Sequence, residues 1–391
     1  MLRSIDLTNF KSFEFLVRVE FSPLTVLVGA NASGKSNLLD AIRLVQGLGL
    51  GFSLTDTLQG RVEAGREIWR GIRGGISEVI RRGQDRAEID TDWYLQGQVV
   101  SHSLGFTVKP EPRIDGEAFT HLIGAADSGQ WKQARSFGFD EEQAMGRGSN
   151  QSLFSDLEKL LKQRPEFEGA RMALALRQAL QRLVVLELKP DRMRDYSPRH
   201  AREMGAEGEH LSSAIWVRSR TEDERLEWVD WLSELCAPEI TDIDFIETEL
   251  GDVMLVLVEK DGTRTSVRAL SDGTLRFLGT LTALKTAPPG SIFLIEELEQ
   301  GLHPQRIHLL IEFLEMVTKE RGIQVIATTH SPQVLQALSS EGLNHAVLCA
   351  RSREDGGTVL RRFQDIPHFK EVIAKSGIDH LFTTGWLERA L

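Results

Sequence analysis

An α/β fold with a parallel-sheet core and an added β lobe is what this chain predicts, and three observations predict it. The first is Gly29-Ala-Asn-Ala-Ser-Gly-Lys-Ser36, a glycine loop set between the apolar run Leu24–Val28 and the helically spaced stretch Asn37–Val45. The second is a pair of buried-strand runs, Ser291–Ile295 and Ile323–Thr329, separated by the helical stretch Ile307–Thr318. That order implies parallel pairing. The third is Asp85–Leu95, Val99–Val108 and Arg113–Leu122. These segments are rich in Ile, Val, Trp, Tyr, Phe and Thr, have Gly or Pro turns between them, and read as antiparallel strands.

The remaining elements follow in order. Leu2–Leu7 and Phe15–Phe21 read as strands joined by a turn at Asn9–Phe13, and they deliver the chain to the glycine loop. A helical piece is expected around Asp56–Arg70. Gly124–Gln151 is polar, Gly/Ser-rich and without a period, so it is expected to be a loop or an inserted segment. Phe154–Leu183 has helical spacing broken near Pro165, Leu183–Leu188 is strand-like, and Leu211–Leu235 recovers a helix pattern. Phe245–Glu249 and Val253–Glu259 form a hairpin around Gly251-Asp252, Pro332–Ser339 is a helix, and His345–Ala350 with Thr358–Arg362 closes the chain as a second hairpin.

The bulk numbers set limits. The 391 residues, 41% of them hydrophobic, allow one large or two moderate domains with a substantial core. No apolar run approaches the ~20 residues that cross a bilayer, and the N-terminus lacks a signal-peptide pattern, so a cytoplasmic protein without a membrane partner is expected. Cys236 and Cys349 are far apart and give neither a disulfide framework nor a zinc site. A net charge of −11 argues against a chain dominated by non-specific nucleic-acid binding. The arc Arg61–Arg86 holds seven arginines against four acids, which suits either a solvated helix face or a nucleic-acid or partner surface.

The glycine loop has a definite chemistry. Gly29 and Gly34 let the backbone turn its N–H groups inward, and with the positive end of the following helix they make a cradle for phosphate oxygens. Lys35 is expected to reach the β and γ phosphates of a nucleoside triphosphate, and the Ser36 hydroxyl to ligate Mg²⁺. Gly29, Asn31, Ser33, Gly34, Lys35, Ser36 and Asn37 form the expected nucleotide-binding set.

The last third supplies three further features. Ser291-Ile-Phe-Leu-Ile-Glu-Glu297 is an apolar strand ending in two carboxylates. Glu296 would hold Mg²⁺ through water, and Glu297 would orient or deprotonate an attacking water. The next strand ends in Thr-Thr-His330-Ser-Pro, which brings His330 to the same site if the two strands are neighbours. Upstream, Ser271-Asp272-Gly273 opens a helix, and its free N–H groups and hydroxyl again favour a phosphate. A second anion-binding helix start makes sense if it completes the site of a neighbouring subunit.

In this order the motifs resemble the ABC-type ATPase heads of the SMC, RecF and OLD group. More closely, they resemble the stand-alone bacterial ATPases of OLD-like type that lack a Toprim domain. The likeness rests on Phe10–Phe13, Gly29–Ser36, Ser271–Arg276, Glu296–Pro304 and Thr328–Pro332. It implies a P-loop NTPase with ABC-ATPase head architecture: a core from residues 1–51 and 266–391, with an inserted β and helical lobe over 52–265. It also implies a homodimer or higher homo-oligomer, with ATP sandwiched between the P-loop of one subunit and the Ser271-Asp-Gly signature of the other. Glu296 is then the magnesium carboxylate, Glu297 the catalytic base, and His330 the γ-phosphate sensor. Two positions depart from the usual pattern, Glu296 standing for the Asp of transporter-type heads and Leu298 where the nearer relatives often carry Pro. The glutamine of a Q-loop stays open among Gln59, Gln84, Gln96 and Gln98.

Spacing narrows the group. Lys35 to Ser271 is 271 − 35 = 236 residues, more than a transporter subunit needs and, without heptads, too little for a long coiled coil. The 61 residues after His330 are too few for a Toprim nuclease domain. The expected function is an ATP-hydrolysing dimeric switch coupled to DNA or to a separate effector such as a nuclease or toxin, in the manner of bacterial anti-phage modules. Its rival is an ATP-dependent scaffold that restrains an effector with little turnover.

Overall fold

The computed structural model describes residues 1–124, 131–139, 150–163, 168–235, 240–353 and 355–389. The chain groups into two compact units, one of residues 1–183, 344–375 and 384–391, the other of residues 184–343 and 376–383.

In the first unit, strand Leu2–Thr8 pairs antiparallel with Val17–Glu20 on one side and Arg86–Leu95 on the other. The sheet continues through Gln98–Thr107, Arg113–Gly124 and Trp131–Phe139. Strict alternation along Arg86–Leu95 turns Ala87, Ile89, Thr91 and Trp93 into the core. The expected β lobe is therefore built onto the N-terminal strands. Helix Glu168–Gln181 lies against this sheet and against the helix Lys35–Gly49. Close approach at that crossing is possible because Gly49 carries no side chain where Leu180 packs. Every residue from Leu38 to Gly49 is buried, the mark of a helix enclosed on all sides. Strand Leu24–Val28, buried throughout, runs parallel to Val347–Arg351, which forms a hairpin with Thr358–Arg362.

Two expectations change in this unit. The stretch Asp56–Arg70 is helical only to Gln59, after which Arg61–Glu63 and Arg66–Trp69 form a hairpin. Gly60 ends the helix with φ 98°, and Ala64 and Gly65, both at positive φ, make the left-handed two-residue turn whose twist suits paired strands. Trp69 is buried and donates its indole N–H to Thr57 O at 2.9 Å, fastening the hairpin to the helix. Within Gly124–Gln151, residues Trp131–Phe139 form a strand. The neighbouring strand supplies the ladder partners that the polar composition alone did not suggest. Residues 125–130 and 140–149 lie outside the described residues.

In the second unit, strands Ile292–Ile295 and Gln324–Thr329 are fully buried and pair in parallel, with helix Pro304–Arg321 as their crossover. Strand Leu183–Leu186 neighbours the first of them. A smaller antiparallel sheet of Ile240–Glu247, Asp252–Glu259 and Arg264–Ser266 carries helices Leu211–Val217 and Glu222–Leu235. The single helix expected over Leu211–Leu235 is thus two. Thr221 and Glu224 form a capping box, Thr221 N–H donating to Glu224 Oε2 at 3.0 Å and Glu224 N–H to Thr221 Oγ1 at 3.3 Å, and this starts a new helix.

Candidate functional site

The glycine loop is fastened through its carbonyl oxygens. Lys35 Nζ curls back and donates to Gly29 O at 2.7 Å and Ala30 O at 2.8 Å. Arg351 Nε donates to Ala32 O at 2.8 Å, and Thr358 Oγ1 to Ser33 O at 2.9 Å. Both loop glycines are sterically required. A Cβ at Gly29 would overlap the carbonyl of Cys349, and one at Gly34, whose φ is 110°, would overlap the Thr358 hydroxyl. The buried Ser33 hydroxyl has no hydrogen-bond partner, and a phosphate oxygen would satisfy it. The loop therefore fits the triphosphate that its sequence implies.

One turn into the helix, Asp40 is completely buried among cations. Its carboxylate accepts from Lys11 Nζ at 2.6 Å and from Arg73 Nε and Nη2 at about 3.1 Å, with Arg43 at 3.8 Å. Arg73 also donates to Ser36 O at 2.9 Å, and Lys11 to Arg73 O at 2.7 Å. Burial pulls the Lys11 ammonium below its ordinary range, and the attraction of Asp40 opposes this. Beside the network opens a cleft of about 670 Å³ lined by Ser36, Asn37, Lys11, Arg73, Arg81 and Arg351 among others. The arginine-rich arc is not one helix, since it runs through a hairpin and a short helix, Gly75–Glu78, to the start of strand Arg86–Leu95, and Arg73, Arg81 and Arg82 line this cleft. None of Gln59, Gln84, Gln96 and Gln98 lines it. Cys349 is buried near Lys35, and burial pushes its thiol up to about 12. Cys236 lies outside the described residues.

In the second unit, Glu296 and Glu297 follow the end of strand Ile292–Ile295, and His330 follows the end of its parallel neighbour. Glu297 is exposed and sits at φ 50°, a left-handed conformation unfavourable for a residue with a Cβ. Its N–H donates to Thr328 Oγ1 at 2.9 Å, and the N–H of buried Leu298 to Thr328 O at 3.0 Å, so the turn is locked to the adjoining strand. Glu299 lies within the Glu296–Pro304 motif, but its role emerges only from its contacts. Almost enclosed, it accepts the His330 N–H at 2.9 Å and lies 3.2 Å from the His330 Nδ1.

Ser271 caps helix Asp272–Thr286 by accepting from Thr274 N–H at 3.2 Å. Gly273 passes so close to Gly301 O that a Cβ would overlap it. Arg194 donates to Leu270 O and Asp272, which steadies the approach to this helix start. Among the described residues there is no cluster of three or more His, Cys, Asp or Glu able to hold a metal, and no helix long and apolar enough to cross a membrane. A magnesium ion arriving with a nucleotide takes hard oxygen donors, and at the glycine loop the Ser36 hydroxyl and the phosphate oxygens are of that kind. Asp40, Arg351 and Thr358 had no expected role at this site. Only their contacts single them out.

Fold and loop together define a P-loop ATPase of α/β head type. A model described as an AAA domain of the AbiEii toxin, Type IV TA system kind matches residues 160–336, and an AAA ATPase domain model matches residues 1–56. A crystal structure of the SmcHead bound to the C-winged helix domain of ScpA superposes with a TM-score of 0.52 at 16% identity, covering 92% of this chain and 97% of that one. The fold is accordingly that of an SMC head. The chromosome partition protein Smc of Halothermothrix orenii is 47% identical over 120 residues, 25% of this chain and 10% of that protein. The Smc of Rhodopirellula baltica is 48% identical over 48 residues, 12% of this chain and 4% of that protein. The matches thus span a tenth or less of those relatives' own length. Taken together, these likenesses support an SMC/RecF-like group of ABC ATPases.

Proposed function

We propose that this chain is an ATP-hydrolysing switch. In this reading Lys35, Ser36 and the Gly29–Gly34 backbone hold the phosphates, with Asn31, Ser33 and Asn37 lining the nucleotide, and Ser36 and Glu296 hold Mg²⁺, which supplies charge neutralisation. Glu297 takes the proton of the attacking water, and His330, steadied by Glu299, contacts the γ-phosphate. Ser271, Asp272 and Gly273 bind the nucleotide of a second copy, so ATP closes a dimer and hydrolysis opens it. The observation that carries the reading is the fastened glycine loop with its orphaned Ser33 hydroxyl. The pairing of the carboxylate strand with the His330 strand supports turnover rather than binding alone. The AAA model described for AbiEii and Type IV TA systems supports a place beside a separate effector, a toxin or nuclease, in a bacterial defence module. DNA is a further partner for the opened or closed state.

The test is mass by light scattering, with phosphate release in parallel, for the wild type and Glu297→Gln in ATP and Mg²⁺. An ATP-locked dimer in the variant and turnover in the wild type establish the switch. ATP-dependent assembly without turnover in either protein instead makes it a scaffold, and an assembly indifferent to ATP removes both readings.

A further inference from the structure

The glycine loop is held from outside by a hairpin that comes 319 to 325 residues later in the chain. Arg351 and Thr358 face each other across that hairpin as the pair nearest its turn. Arg351 holds Ala32 O, and Thr358 holds Ser33 O, on consecutive residues of the loop. The turn between them is itself secured, Ser352 N–H donating to Gly357 O at 2.8 Å and Arg81 to Asp355 O at 3.0 Å.

The Thr358 hydroxyl has two neighbours but one proton. It lies 2.9 Å from Ser33 O and 2.7 Å from Ser12 Oγ. The Thr358 hydroxyl is the donor in both contacts, so its proton is shared between Ser33 O, which can only accept, and Ser12 Oγ. Ser12 in turn accepts from Asn37 Nδ2 at 2.8 Å. Asn37 and Thr358 thus both donate toward Ser12, and these contacts tie three segments of the chain together beside the loop.

The bond to Ser33 O fixes the loop backbone. The C=O of one residue and the N–H of the next leave a planar peptide on opposite sides. With Ser33 O drawn toward the hairpin, Gly34 N–H points away from it. Arg351 likewise pins Ala32, which sits at φ 62°, a conformation an alanine adopts only when held. We infer that Thr358 and Arg351 are positioning residues of the phosphate cradle, setting its N–H donors before nucleotide arrives. The inference rests on the proposed reading of this loop as the ATP site.

Titration calorimetry with ATP and Mg²⁺ on the full chain tests it, comparing the wild type with Thr358→Val, Thr358→Ser and Arg351→Met, each also melted without nucleotide. Thr358→Val keeps the shape and leaves Ser33 O unpaired, so it is expected to weaken ATP at least about fivefold. Thr358→Ser is expected to bind within about twofold of the wild type, and Arg351→Met, at an exposed side chain, to weaken binding about threefold with unchanged melting. If Thr358→Val does not fold, Arg351→Met and the serine variant carry the test. Wild-type affinity in both Thr358→Val and Arg351→Met overturns the inference, as does a Thr358→Ser variant as weak as the valine one. A wild type that binds no ATP overturns the reading of the site itself.

Discussion

Two acidic positions, Asp40 beside the glycine loop and Glu297 at the strand end, show how differently the two units treat functional polar groups. Asp40 has no exposed surface and is surrounded by Lys11, Arg43 and Arg73. Glu297 is exposed, on a backbone at φ 50°, with Gln300 at 3.5 Å as its weak side-chain neighbour. Around the loop the chain holds the loop carbonyls and the Asp40 carboxylate before any ligand arrives and leaves the Ser33 hydroxyl open, which lowers the ordering cost of binding. At the strand end it leaves the carboxylate accessible and the backbone strained. In the proposed reading, the loop side is prepared for binding and the strand-end side is left open for chemistry.

The largest expected effect tests the buried side of that contrast. Asp40→Asn removes the charge that compensates three cations, and the urea unfolding free energy should fall by about 3 kcal/mol. The same measurement on Glu297→Gln should move by less than about 0.5 kcal/mol, as for an exposed position. Next, Lys35→Ala should weaken ATP about a hundredfold in calorimetry through lost charge-assisted hydrogen bonds, whereas Glu297→Gln should bind within about twofold. A comparable loss in both would erase the division between binding and chemistry.

Glu299→Gln removes the carboxylate that steadies His330, and phosphate release should slow about tenfold while ATP affinity holds. Equal losses in affinity and rate would make Glu299 a binding residue instead. The smallest effect belongs to Arg194→Ala. Its pairing with the largely exposed Asp272 should contribute under about 1 kcal/mol to stability. A larger loss would show that the helix start at Ser271 is as tightly built as the glycine loop.

Much of this site is legible in the linear chain because its parts are contiguous. The glycine loop, the paired glutamates, the Ser271 helix start and the strand carrying His330 each lie within about ten residues, so local backbone sterics and periodicity reveal them. The hairpin at Arg61–Trp69 escaped because its turn rests on Ala64 at positive φ, a conformation alanine does not advertise. The capping box at Thr221 and Glu224 was present as a signature, but the apolar spacing on either side of it reads as one uninterrupted helix.

Sequence alone was sufficient for the fold class, an α/β P-loop head, and for the order of its motifs, since these depend on neighbours along the chain. Tertiary structure decided which side chains hold those motifs in place. Arg351 and Thr358 reach the loop from more than 300 residues away, and Asp40 gathers Lys11 and Arg73 from separate segments. Such contacts exist only after distant strands pair and the solvent is gone. Their strength comes from burial, and burial is a property of the folded chain rather than of any stretch within it.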